Sequence, residues 1–196
     1  MHVAVTELWL AILIASACVF FTSAIIWMML PYHKKDIRFL PNEDGFFAGI
    51  KPLDIKPGLY MFPDCQDMKS EGFQDKWKSG PWGTINIMPN RPNFALNLLR
   101  TFLAYLVITI IVAYIAGIAL PKGADYMDVF RVVATAGILG HCMGGLANDF
   151  FLGKPARFIV TGFIDGLIFA LITAGVIASM WPGGPSGLDG TLIITP

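Results

Sequence analysis

Residues 8–30 read LWLAILIASACVFFTSAIIWMML, a run of 23 positions without a charged side chain. Because an α-helix rises about 1.5 Å per residue, this run would form a helix of roughly 34 Å, which exceeds the bilayer hydrocarbon core of about 30 Å. No Lys or Arg precedes the run, and it is longer than the apolar region of a signal peptide. We therefore predict a retained first transmembrane helix over 8–30.

Three further apolar stretches predict transmembrane helices over 98–120, 129–151 and 157–181. The third stretch is the weakest, since it is rich in glycine and contains a histidine. The two remaining segments are a loop domain over 31–96 and a tail over 182–196. The predicted fold class is an all-α polytopic membrane protein with four transmembrane helices and a small α+β cytoplasmic loop domain between helices 1 and 2.

The composition agrees with a membrane protein and argues against a soluble domain, a nucleic-acid-binding protein and a metalloprotein. Charged residues make up 14% of the chain, against about 25% in a typical soluble domain. The net charge is zero, so no overall field favours a nucleic-acid partner. The three cysteines, Cys18, Cys65 and Cys142, have no metal-binding spacing, and the side chains of the string GHCMGG point about 100° apart on a helix. We expect no metal and no cofactor.

Basic residues predict the orientation of the bundle. With 31–96 and the turn at 152–156 inside, twelve of the fourteen Lys and Arg residues face the cytoplasm, and only Lys122 and Arg131 lie outside. This positive-inside pattern predicts a bacterial inner-membrane protein with both termini in the periplasm. Directly after the first span, Tyr32, His33, Lys34 and Lys35 are predicted to form an interfacial anchor on the anionic leaflet.

Local patterns within 31–96 predict three elements. Asn42, followed by two acidic residues, is a helix cap and predicts a short helix over 41–50. The segments 57–63 and 83–89 are bounded by Pro and Gly and are rich in β-branched or aromatic residues, which predicts two short strands. The polar sequence between them fits either a helix or a long loop. Two strands alone are marginally stable, so they need a helix, the membrane surface or a partner to pack against.

Two ionisable side chains, His141 and Asp165, fall well inside predicted spans. Each lies at a similar distance from the turn near Lys154, so in an antiparallel hairpin they reach similar depth. We predict an intramembrane polar pair between them. The pair could be structural, joining two helices, or functional, as a proton relay or ion site.

Glycines surround this predicted pair. Small residues spaced by three or four positions allow helix backbones to approach closely. The predicted helix-packing residues are Gly137, Gly140, Gly144, Gly145, Gly162 and Gly166.

The sequence WMMLPYHKKDIRFLPNEDGF at 27–46 resembles an uncharacterised group of bacterial inner-membrane proteins. In that group, a first helix ends in Leu-Pro, an aromatic residue and His, and a charged run leads to Pro-x-Glu-Asp. The matching residues are Leu30, Pro31, Tyr32, His33, Lys34, Asp36, Pro41, Glu43 and Asp44. The resemblance covers mainly residues 27–62, and it implies localisation and topology but no chemistry.

No nucleophile–base motif, phosphate loop or metal-ligand spacing stands out. The first functional hypothesis is an accessory, assembly or scaffold subunit of a membrane complex, without catalysis of its own. Its partners would be the lipid bilayer and other membrane subunits or copies of itself. The alternative is a small oligomeric transporter or channel subunit that uses His141 and Asp165, and a membrane enzyme has the least support.

Overall fold

The structure, a computed structural model, describes residues 2–65 and 68–183. Its helices and strands, in chain order, are α1 (Trp9–Met28), α2 (Glu43–Ile50), β1 (Gly58–Phe62), α3 (Glu71–Ser79), β2 (Gly83–Ile87), α4 (Phe94–Ala119), α5 (Tyr126–Ile138), α6 (Leu146–Phe151) and α7 (Ala156–Ser179). The predicted tail over 182–196 lies outside the described residues from position 184 onward.

Within the described residues, four helical stretches are long and apolar enough to span a membrane, which is the pattern of a multi-pass membrane protein. They are Val5–Met28, Phe94–Ala119, Tyr126–Phe151 and Ala156–Ser179. The prediction of four such helices is confirmed, with ends shifted by a few residues. The third helix, whose sequence pattern is the weakest, is interrupted in the structure: a π-helical turn over Leu139–Met143 lies between α5 and α6.

The four long helices form a ring in which α7 packs against α1 and α5, and α4 packs against the same two. Small and β-branched residues fill the centre, and larger apolar side chains point outward. At one end of the bundle, Trp181 is buried and its indole N–H donates to the Pro121 carbonyl over 3.0 Å. The Val3 N–H donates to the Gly117 carbonyl over 3.1 Å at the same end. The chain start, the α4–α5 connection and the end of α7 therefore meet on one side of the bundle.

The 31–96 segment lies at the other end and contains the predicted elements. α2 begins after Asn42, whose side chain accepts from the Gly45 N–H over 2.8 Å, as a cap should. β1 and β2 pair antiparallel, with Tyr60 opposite Ile85. The polar sequence between the strands, which fits either a helix or a long loop, includes a helix, α3. The Ser70 hydroxyl caps α3.

This loop segment buries little apolar surface. Phe73 of α3 is its one large apolar side chain that is buried in the described part of the chain, and Trp77 stacks on it with ring centroids 5.4 Å apart. Tyr60 and Phe62 share a face of the hairpin, as period-two alternation requires, but both remain exposed. The segment therefore has the small core expected of two strands and short helices, with aromatic side chains left at its surface.

Candidate functional site: a buried His–Asp–Tyr network

The candidate site lies where the first span ends. A 3-10 turn over Pro31–Lys35 follows α1, and it folds His33 back against the last turn of that helix. The imidazole stacks on Trp27 with ring centroids 4.0 Å apart and an interplanar angle of 6°. Lys34 and Lys35 are exposed, as an interfacial anchor requires, but His33 is only 5% exposed. The prediction that His33 anchors at the surface is therefore wrong, because the turn buries its ring.

His33 and Tyr32 both reach Asp165, which is 4% exposed within α7. His33 Nε2 lies 3.0 Å from Asp165 Oδ2, an ion-pair distance without the geometry of a direct hydrogen bond. The Tyr32 hydroxyl lies 2.9 Å from Asp165 Oδ1 and 2.9 Å from the Thr161 carbonyl oxygen, so one O–H faces two acceptors. The buried carboxylate is therefore held from the turn after α1, which ties α1 to α7.

A second carboxylate, Asp36, completes the network, and its side chain is fully buried. Asp36 Oδ2 lies 2.7 Å from His33 Nδ1 and accepts a hydrogen bond from the Thr161 hydroxyl over 2.7 Å. Its other oxygen lies 2.8 Å from Arg157 Nε. His33 thus faces one carboxylate with each ring nitrogen, and an imidazole can donate to both only when it is protonated.

Two side chains of the network that lie outside the spans, Asp36 and Tyr32, have shifted pKa values. Burial alone would raise the pKa of Asp36, but hydrogen bonds from Thr161 and His33, with the charge of Arg157, outweigh burial and lower that pKa. Burial, followed by the hydrogen bond to Asp165, raises the pKa of Tyr32. At neutral pH the network therefore has an ionised Asp36 and a Tyr32 hydroxyl that keeps its proton.

Asp165 does not pair with His141 in the structure, contrary to the prediction. The two helices do meet at matched depth, since a Cβ atom added at Gly166 would lie 2.8 Å from the His141 carbonyl oxygen. However, the residue that faces the π-helical turn is Gly166, and Asp165 lies about 100° around α7, toward the turn after α1. The His141 ring instead packs near Tyr105 and Phe169, and its buried Nε2 has no hydrogen-bond partner in the described part of the chain.

Three of the six predicted packing glycines lie at close helix contacts. A Cβ added at Gly137 would lie 3.1 Å from Ala170, and one added at Gly140 would lie 2.9 Å from Ile108. A Cβ added at Gly166 would lie 2.7 Å from the Cys142 sulfur. At the other three, an added Cβ would meet no atom of a neighbouring helix within 4 Å: Gly144, Gly145 and Gly162.

This difference predicts opposite results for two matched substitutions in α7. Gly166→Ala should lower the free energy of unfolding by about 1 to 3 kcal/mol, because the new methyl group would press on the backbone of His141. Gly162→Ala, one helical turn earlier, should be neutral or stabilise by up to about 1 kcal/mol, since its Cβ would enter open space. Thermal unfolding of both purified variants in one detergent measures the difference. Equal melting temperatures would contradict the close packing at Gly166.

Sequence reasoning missed Asp36, Arg157 and Thr161 as members of the network. One signal was available, because Arg157, Thr161 and Asp165 are spaced by four positions and so form a polar stripe on one face of α7. Among the described residues, no group of three or more His, Cys, Asp or Glu side chains is arranged to hold a metal ion. The chemistry that the site offers is hydrogen bonding and charge pairing at the end of the spans.

No protein-family model matches this chain, and neither a curated protein nor a solved structure is significantly similar to it.

Proposed function

We propose that the chain is an accessory, assembly or scaffold subunit of a membrane complex, and that its loop segment binds another subunit. The supporting observation is an aromatic patch formed by Phe62, Trp77, Trp82 and Phe151, which are between 39% and 80% exposed. Large exposed apolar patches on a protein surface mark interaction sites. Trp side chains also dominate the binding energy of many interfaces.

The aromatic patch is concave, and intramolecular contacts hold its two Trp rings, which favours a protein partner over the flat membrane surface. Its side chains line a cavity of about 290 Å³ between the hairpin, α3 and the turn after α6. The Trp82 indole N–H donates to the Trp77 carbonyl over 2.7 Å, and Trp77 stacks on buried Phe73. Because these rings are already held in position, a partner would lose little side-chain entropy on binding.

Site-specific photocrosslinking in intact membranes tests this role. We expect a benzophenone side chain at position 77 or 82 to give protein adducts of discrete mass. The same group at Asp75, which lies about 200° around α3 from Trp77, should give none. Adducts to lipid alone, or identical protein adducts from all three positions, would contradict binding through the aromatic patch.

The orientation that we propose has the loop segment in the cytoplasm and both termini in the periplasm of a bacterial inner membrane. It is supported by the twelve-to-two distribution of Lys and Arg between the two ends of the bundle. Cys65 is exposed in the loop, so a variant with Cys18→Ala and Cys142→Ala provides one natural probe. A membrane-impermeant maleimide should label it only after lysis, whereas labelling in intact cells would reverse the orientation.

A second candidate function is a small oligomeric transporter or channel subunit. It is favoured by one specific observation, the three buried ionisable side chains His33, Asp36 and Asp165 at the end of the spans. Buried ionisable groups often mark proton or ion pathways. In proteoliposomes, this function requires a pH-dependent flux that Asp165→Asn abolishes at unchanged stability, and the absence of any flux would rule it out.

A further inference from the structure

We propose that a basic cleft between residues 35–38 and the start of α7 binds the phosphate group of an anionic phospholipid. The cleft has a volume of about 430 Å³, within the range of ligand pockets. The residues that line it are Lys35, Asp36, Arg38, Pro155, Arg157 and Phe158. This inference requires only that the four helices span a membrane, and it does not depend on the aromatic patch or its partner.

The charge of the cleft suits a phosphate. Its lining includes three cationic side chains and one carboxylate, Asp36. That carboxylate faces inward, where Arg157, His33 and Thr161 already occupy its oxygens. Lys35 and Arg38, by contrast, form no ion pair within the described residues. Two cations are therefore free to bind an anion from outside.

Arg157 is fixed in position before any ligand arrives. Arg157 Nε lies 2.8 Å from Asp36 Oδ1, and Arg157 Nη2 donates to the Tyr32 carbonyl over 2.7 Å. The Arg157 side chain is still 48% exposed, so the remaining N–H groups of its guanidinium can donate to a ligand. Because the side chain is already ordered, binding a phosphate would cost less entropy than binding to a mobile arginine.

The start of α7 adds a smaller contribution on the same side. Pro155 occupies the N-cap position and no side chain caps the helix, so the first backbone N–H groups are not satisfied by a capping side chain. The positive end of a 24-residue helix therefore lies at the cleft, beside the cationic side chains.

The location of the cleft favours a lipid as the source of the phosphate. It opens where α1 ends and α7 begins, which is the depth of the headgroups if these helices span the bilayer. Phe158 and Pro155 add an apolar wall, suited to the glycerol and upper acyl chain of a lipid. The chain leaves the cleft through Ile37, Phe39 and Leu40, whose exposed apolar side chains suit a membrane interface.

Native mass spectrometry of the full-length protein, titrated with phosphatidylglycerol or phosphatidylcholine of identical acyl chains, tests the proposal. We expect preferential binding of phosphatidylglycerol, and Lys35→Gln with Arg38→Gln should weaken it roughly ten- to thirty-fold. These two side chains hold no ion pair, so the variant should fold normally. The control, Lys51→Gln with Lys56→Gln, removes two exposed charges from elsewhere in the loop segment, of which Lys56 is paired with Asp54 at the surface, and should leave binding unchanged.

Three results would overturn the proposal. Equal affinity for the two lipids would show that the cleft does not select an anionic headgroup. An equal loss in the Lys51 and Lys56 control would indicate general charge attraction rather than a site. Displacement of the bound lipid by millimolar inorganic phosphate would assign the cleft to a free phosphate and remove the lipid assignment.

Discussion

Replacing Asp36 with alanine should lower the free energy of unfolding by about 3 to 5 kcal/mol, the range found when one partner of a buried ion pair is removed. The carboxylate is fully buried, and His33, Thr161 and Arg157 all face it. Alanine would remove the partner of His33 Nδ1 and the ion-pair partner of Arg157, and the Thr161 hydroxyl would keep only the carbonyls of Arg157 and Phe158 as acceptors. For a chain of this length, the melting temperature should fall by roughly 10 °C.

Two variants make this result interpretable. Asp36→Asn keeps one acceptor oxygen but loses the charge beside Arg157, so its loss should be intermediate. Asp128→Ala removes an exposed carboxylate that lies 3.6 Å from Arg131, and an exposed pair of this kind contributes at most about 1 kcal/mol. If Asp36→Ala were no more harmful than Asp128→Ala in the same detergent, the network would have no stabilising role.

The lowered pKa of Asp36 also predicts how stability depends on pH. Its pKa in the folded protein lies below its ordinary value of 3.8, so the folded state favours the ionised form. The contribution of Asp36 is therefore complete above about pH 4 and is lost as pH falls through the folded-state pKa. The stability difference between the wild type and Asp36→Asn should shrink on acidification below pH 4, as measured by chemical unfolding across pH. A difference that does not change with pH would contradict the assignment of the charge to Asp36.

Local rules explain which parts of the fold could be predicted from the sequence. A run of more than twenty uncharged apolar residues has essentially one stable solution, a helix across the bilayer, so residues 8–30 predicted α1 without further context. Asn42 predicted the start of α2 because capping acts over three residues. Proline and glycine bounded the two strands for the same reason, since they act on their immediate neighbours.

The network could not be predicted in full, because it depends on directions that local rules do not specify. The matched distances from the turn at Lys154 correctly predicted that His141 lies beside α7. The rotation of α7 decides that Gly166 faces His141 and that Asp165 faces the turn after α1. Burial of His33 likewise depends on a single 3-10 turn over Pro31–Lys35, which brings its ring against Trp27. The four-residue spacing of Arg157, Thr161 and Asp165 predicts a polar stripe on one face of the helix, but the sequence does not indicate which residues contact that stripe.

Asp165 is expected to couple energetically to His33 and to be independent of His141. Asp165→Leu should lower the free energy of unfolding by about 3 kcal/mol, since it removes the ion-pair partner of the buried His33 ring and one acceptor of the Tyr32 hydroxyl. In a double-mutant cycle with His33→Phe, the loss for the double variant should fall short of the two single losses added together by about 1 to 3 kcal/mol.

The cycle with His141→Phe provides the matched comparison, because His141 lies at the same level of the bundle but forms no hydrogen bond or ion pair with Asp165 among the described residues. His141→Phe alone should be neutral or stabilising, since its buried Nε2 has no partner to lose and a phenyl ring can occupy the space between Tyr105 and Phe169. Combined with Asp165→Leu, the two effects should add within about 0.5 kcal/mol. Energetic coupling of Asp165 to His141, with none to His33, would support the intramembrane pair of His141 and Asp165 that the sequence predicts. It would also mean that the turn after α1 does not close onto α7.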